Sequence, residues 1–172
     1  ESDGSFLKLP IHYSIVTNID YEHIDYYKSY KNLENAFIQF INKTPPIGKS
    51  LICIDNKNIK NILGKIKNKN ILTYGLNKKA NYKICKIRYN VTHSLFDLHY
   101  KNLNNKKTVI KNINLRLIGE HNVLNAAAAI AICINLGVSS NTIKKALANF
   151  SGVQRRMTKI FTKNKNEFFD DY

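Results

Sequence analysis

Three short apolar runs alternate with two helical patterns over the first 75 residues, and this alternation constrains the fold more than any other feature. Residues 13–19 (YSIVTNI), 50–55 (SLICID) and 70–75 (NILTYG) read as strands, rich in β-branched side chains and bounded by polar or glycine stops. Between the first two, Leu33, Ala36, Phe37, Phe40 and Ile41 recur at helical spacing from about Asn32 to Lys43, and residues 44–48 (TPPIG) end that helix in a turn. Between the second and third, Ile59, Ile62, Leu63 and Ile66 give a shorter helix. Strands joined by helices pair in parallel, because a parallel neighbour needs a long crossover.

After Asn77 the helical pattern disappears. Residues 81–90, 93–100 and 106–118 read as strands, with turns at 91–93 and 102–105. This predicts a small antiparallel β layer over 78–118, packed beside the main sheet. Residues 119–130 (GEHNVLNAAAAI) then turn at Gly119 and open a helix near His121 that runs to about Asn135, with Gly137 as its C-terminal cap. Its alanines are a packing feature, small enough to let a helix lie close to a sheet. Ser140 or Asn141 is expected to cap a second helix whose inner face carries Ile143, Ala146, Leu147 and Phe150. A loop over 151–157 and strands at 157–162 and 166–171 complete the chain. The expected class is α/β: a mostly parallel sheet flanked by helices, with a small antiparallel sheet.

Charge offers a competing reading. A formal net charge of +15 suits a basic nucleic-acid-binding domain. Against it, only Arg88, Arg116, Arg155 and Arg156 among the 27 basic residues are arginine, and the lysines are scattered among Asn and Ile rather than clustered. The expectation is therefore a solvated basic surface and no nucleic-acid partner. Cys53, Cys85 and Cys133 form no CxxC pair, which fits idle thiols in a reducing compartment. No run of 18 apolar residues and no signal-peptide pattern is present, so no membrane association and a cytoplasmic location are expected. Both ends fall within motif-like stretches, as in a piece of something longer.

Candidate chemistry lies in four places. Glu1 and Asp3 are acids just before the first strand. Glu22-His23-Ile24-Asp25 follows that strand, where sites gather in open α/β sheets; His23 is either a metal ligand or a hydrogen-bonded loop histidine. Asn122 and Asn125 share one face at a helix N-terminus, where negative groups are favoured, and serve either a nucleotide or only capping and packing. Arg155-Arg156 is a solvated pair or an anion clamp, and Asp170-Asp171 can accept ribose hydroxyls.

Five stretches in order carry a family resemblance: residues 1–6 (ESDGSF), 17–19 with 23–25 (TNI, HID), 119–127 (GEHNVLNAA), 152–156 (GVQRR) and 170–172 (DDY). They resemble the Mur ligases over essentially all 172 residues, and among these the alanine-adding branch. The resemblance implies that residues 1–172 are part of a P-loop-type central ATP-binding domain, with the glycine-rich phosphate loop upstream of Glu1 and Tyr172 at the boundary to a C-terminal domain. The implied reaction joins L-alanine to the lactyl carboxylate of UDP-N-acetylmuramate through an acyl phosphate, using ATP and Mg²⁺. A related ligase adding another amino acid or a peptide is the alternative.

By motif, Glu1 and His23 resemble the magnesium ligands and carry the catalytic role. Asn122 and Asn125 resemble the adenine-side amides, Arg156 the arginine near the nucleotide, and Asp171 the aspartate on the ribose. Tyr172 resembles a tyrosine near the incoming amino acid. Glu22 stands where the family usually has Asp, and Met157 where it usually has an aromatic residue. Phe37, Ile38 and Gln39 occupy the face where some relatives carry a carbamylated lysine, so no carbamate is expected.

Overall fold

The computed structural model describes residues 2–102, 104–153 and 158–170. Strand β1 (Tyr13–Val16) is followed by the short helix α1 (Ile24–Tyr27) and by α2 (Tyr30–Asn42); β2 (Lys49–Cys53), α3 (Lys57–Ile62) and β3 (Ile71–Gly75) complete the alternation. The three strands pair in parallel, Tyr13 to Val16 beside Lys49 to Ile52, and Ser50 to Cys53 beside Ile71 to Tyr74. Ser50 through Cys53 are all buried, so β2 is covered on both faces. Two short elements escape the periodicity, α1 and a 3-10 turn at Ser5–Lys8, each too brief to show a helical repeat.

The antiparallel strands are β4 (Tyr82–Tyr89), β5 (Ser94–Lys101) and β6 (Lys107–Leu115). They do not form a separate layer: the six strands make one sheet in the order β1-β2-β3-β4-β5-β6. The join is narrow, with β4 beside β3 in parallel only through Tyr74↔Tyr82 and Gly75↔Lys83. Residues 76–81 connect them without a crossover helix. Side chains hold that tight return: the Asp55 carboxylate accepts the N–H groups of Leu76 (2.6 Å) and Asn77 (3.0 Å). Thr73 and Asn81 exchange bonds across its base, the Thr73 N–H donating to Asn81 Oδ1 (2.8 Å) and the Asn81 N–H to Thr73 Oγ1 (3.0 Å).

Helix α4 (Glu120–Asn135) lies across β2, β3, β4 and β5. Ala126, Ala127 and Ala128 are buried, whereas Ala129 faces solvent. Its end is a Schellman motif centred on Gly137: the Val138 N–H donates to the Cys133 carbonyl (2.9 Å) and the Gly137 N–H to that of Ile134 (3.0 Å). Helix α5 (Ser140–Asn149) is capped by Ser139, whose Oγ accepts the Thr142 N–H (3.2 Å), one residue before the predicted cap. Only Ile143 of its expected inner face is buried; Leu147 is half-buried, and Ala146 and Phe150 are exposed, because a helix packed chiefly on the sheet edge at β6 covers a narrower stripe. Strands β7 (Thr158–Lys163) and β8 (Asn166–Asp170) form a separate antiparallel pair.

Candidate nucleotide and metal site

β1 buries Ser14 and Val16 while Ile15 faces outward, and its chain continues into a loop, residues 17–23, held largely by its own polar side chains. The Thr17 hydroxyl donates to Asn18 Oδ1 (2.8 Å), Asn18 Nδ2 donates to the Asp20 carboxylate, and the Glu22 N–H donates to the Asp20 carbonyl (2.9 Å). Ile19 is 1% exposed and pins the loop to the core; its carbonyl accepts Nδ2 of Asn58 from α3 (2.7 Å). His23 then begins α1 from a left-handed conformation (φ 57°), which histidine tolerates better than most residues. The His23 carbonyl accepts the N–H groups of Tyr26 and Tyr27. The imidazole is 36% exposed, with Nε2 3.9 Å from Glu22 Oε2. It is an open side chain on a fixed backbone rather than a buried, satisfied histidine.

The opening motif lies against the same corner. Gly4 sits so close to Tyr26 that a methyl group at its α-carbon would be 2.9 Å from the phenol oxygen. Phe6 packs on Phe37 and Phe40 of α2, with ring centroids 5.4 Å and 5.1 Å apart, and Lys43 Nζ donates to the Leu7 carbonyl. The Asp3 carboxyl is held below the usual carboxylate range, first by the Ser5 backbone N–H that it accepts at 3.0 Å. Asp3 is therefore engaged in shaping its own turn. Glu1 lies outside the described residues, and among those residues no cluster of three or more His, Cys, Asp or Glu side chains could hold a metal ion.

The second part is the α4 N-terminus. Gly119 precedes it with φ 104° and ψ 144°, a conformation that a side chain would strain, and it supplies no side-chain cap. The Asn122 side chain braces the turn in another way: its Nδ2 donates to the Ile118 carbonyl (2.8 Å), tying the first helical turn to the chain leaving β6. Asn125, one turn on, is exposed, and its side chain makes no hydrogen bond among the described residues. The two amides thus share a face but differ in commitment, one braced to the backbone and the other free to meet a ligand. Arg156, Asp171 and Tyr172 lie outside the described residues, as does Met157. Residues 151–153, which lead to the arginine pair, come back to this corner, where Gly152 packs near Leu117. Reasoning from sequence missed Asn58 and the Asn18–Asp20 pair; in a chain this rich in asparagine nothing in the pattern singles them out.

Among the described residues no helix is long and apolar enough to cross a membrane. The Mur ligase middle domain model matches residues 2–133. A UDP-N-acetylmuramate–L-alanine ligase from Pelagibacter ubique is 51% identical over all 172 residues, which cover 37% of that protein. The chain belongs to the Mur ligase family. A ligase of the same name from Brucella anthropi is 41% identical over 172 residues, again 37% of its length. This Mur ligase chain thus spans little more than a third of the curated relatives it matches. Its fold is shared with MurF from Acinetobacter baumannii (TM-score 0.77, 24% identity, 99% of this chain and 36% of that one). It is shared equally with UDP-N-acetylmuramate–alanine ligase from Thermotoga maritima (TM-score 0.75, 24% identity, 99% of this chain and 37% of that one).

Proposed function

We propose that this chain is part of the central ATP-binding domain of a cytoplasmic ligase joining L-alanine to the lactyl carboxylate of UDP-N-acetylmuramate, a step of peptidoglycan precursor synthesis. The observation that carries the reading is the 51% identity, without interruption of coverage, to a protein of that name. In the reaction, the lactyl carboxylate attacks the γ-phosphate of ATP to give an acyl phosphate and ADP. The amine of L-alanine then displaces inorganic phosphate and forms the amide.

Two anions must meet in the first step, so the chain's part is to position them and offset their repulsion. Asn125, free at a helix N-terminus, suits the adenine edge, and Asn122 supports that turn. By motif, Arg156 is the arginine near the nucleotide, Asp171 the aspartate for the ribose hydroxyls, and Tyr172 the tyrosine near the incoming amino acid. His23 and Glu1 are the protein ligands assigned to Mg²⁺. A partly exposed imidazole suits a cation that keeps most of its shell as water and phosphate oxygens, and by residue type a carboxylate partner supplies the oxygen ligand that Mg²⁺ prefers. When bound, the cation supplies charge neutralisation between carboxylate and phosphate.

The fold alone does not choose among amino acids, since MurF and the alanine-adding enzyme match it about equally well. The test is phosphate release by the protein at the length of its relatives, with ATP, Mg²⁺ and UDP-N-acetylmuramate, offered L-alanine, L-serine, glycine or a tripeptide. L-Alanine is expected to give the highest kcat/KM. A preference for the tripeptide would assign the chain to a different member of the family.

A further inference from the structure

We infer that Asn58 is a positioning residue for the metal-binding loop, acting on His23 through the carbonyl of Ile19; this rests on the assignment of His23 to the cation. The His23 side chain is 36% exposed and its nearest charged neighbour, Glu22 Oε2, is 3.9 Å from Nε2, beyond hydrogen-bond distance, so no polar partner among the described residues fixes where the imidazole points. Its placement depends on the backbone of residues 17–23. Most of the polar bonds there are internal, Thr17 to Asn18, Asn18 to Asp20 and Glu22 to Asp20, and internal bonds shape a loop without fixing it to the sheet. Asn58 Nδ2, donating to the Ile19 carbonyl at 2.7 Å, ties the middle of the loop to another element.

That element is rigid where it matters. Asn58 sits in the first turn of α3, whose N–H at Ile59 is capped by Asn56 Oδ1 (3.0 Å) and whose Ile59 and Ile62 side chains are fully buried. The path runs from the core through α3 to the Ile19 carbonyl and on to His23, four residues later. Groups that hold a ligand-bearing residue in this way typically change metal affinity when removed, although they never touch the metal.

The test uses Asn58→Ala and Asn58→Asp in the protein at the length of its relatives; the aspartate keeps the shape and removes the donor. Hydrogen exchange without metal is expected to quicken about fivefold at amides 18–24 and to stay unchanged in α4, as loss of one hydrogen bond implies. The Mg²⁺ concentration for half-maximal activity is expected to rise about tenfold in both variants, with the ATP KM within about twofold of wild type. Wild-type exchange at 18–24, or faster exchange with an unaltered Mg²⁺ requirement, would overturn the inference. His23→Ala, measured in parallel, separates the layers. If it leaves the Mg²⁺ requirement unchanged, the assignment of His23 to the cation fails, and the role of Asn58 fails with it.

Discussion

Asn122 and Asn125 are one helical turn apart, have the same side chain, and are given different tasks by their surroundings. The Asn122 amide spends its N–H on the Ile118 carbonyl, while that of Asn125 meets only solvent among the described residues. Asn122→Ala should therefore lower stability by about 1 kcal/mol, the net worth of one such hydrogen bond, read as a lower melting temperature. Asn125→Ala should leave the melting temperature alone and raise the ATP KM about three- to tenfold, with kcat little changed. An unchanged KM in Asn125→Ala would count against adenine contact at that position. The sequence could not separate these roles, because spacing gives a shared face but not which partner each amide finds.

At the scale of elements, the alanine run shows how much one helix depends on side-chain size. Ala127 has no exposed surface where α4 crosses the sheet, whereas Ala129 is solvent-facing. Ala127→Leu forces added methylenes into a filled interface and should destabilise by about 1–3 kcal/mol. Ala129→Leu should stay within about 0.5 kcal/mol of wild type. Thermal unfolding of the two variants checks the contrast. The helix, its Gly137 terminus and the strand cores were legible because each spans enough residues to show a period or a cap. The short helix after His23 was not, since Ile24–Tyr27 is a single turn. Nor was the edgewise join of β4 to β3: a parallel pairing without a crossover helix contradicts the usual rule and depends on Asp55, whose two backbone acceptances have no sequence signature. Register shifts between Cys85 and Arg88 and between Phe96 and Leu98 were hidden too, because a bulge leaves the apolar alternation almost intact.

At the scale of the molecule, the core holds phenols as well as aliphatics, and that gives stability a dependence on alkaline pH. Tyr74 is fully buried beside Cys53. Burial first, then the neighbouring Cys53 and Asp55, drives its ionisation far above the ordinary value of 10.0. The unfolded chain ionises this phenol near its ordinary value while the native state keeps it neutral. The contribution is therefore whole below about pH 10 and is lost as pH rises above it, by at most about 1.4 kcal/mol per pH unit. Tyr74→Phe should flatten the decline of melting temperature between about pH 10 and 11.5, and an unaltered slope would argue that the phenol is not held neutral.

The same scale decides the central claim, that the His23 loop and the α4 N-terminus border one site for ATP and a divalent cation. The most direct measurement is a crystal structure of the protein at the length of its relatives with Mg²⁺ and a non-hydrolysable ATP analogue. The adenine is expected within hydrogen-bond distance, about 3 Å, of the Asn125 amide. The cation is expected about 2.1 Å from a nitrogen of His23, with the phosphates between them. Adenine bound away from α4, or a cation whose ligands leave His23 in solvent, would contradict the claim.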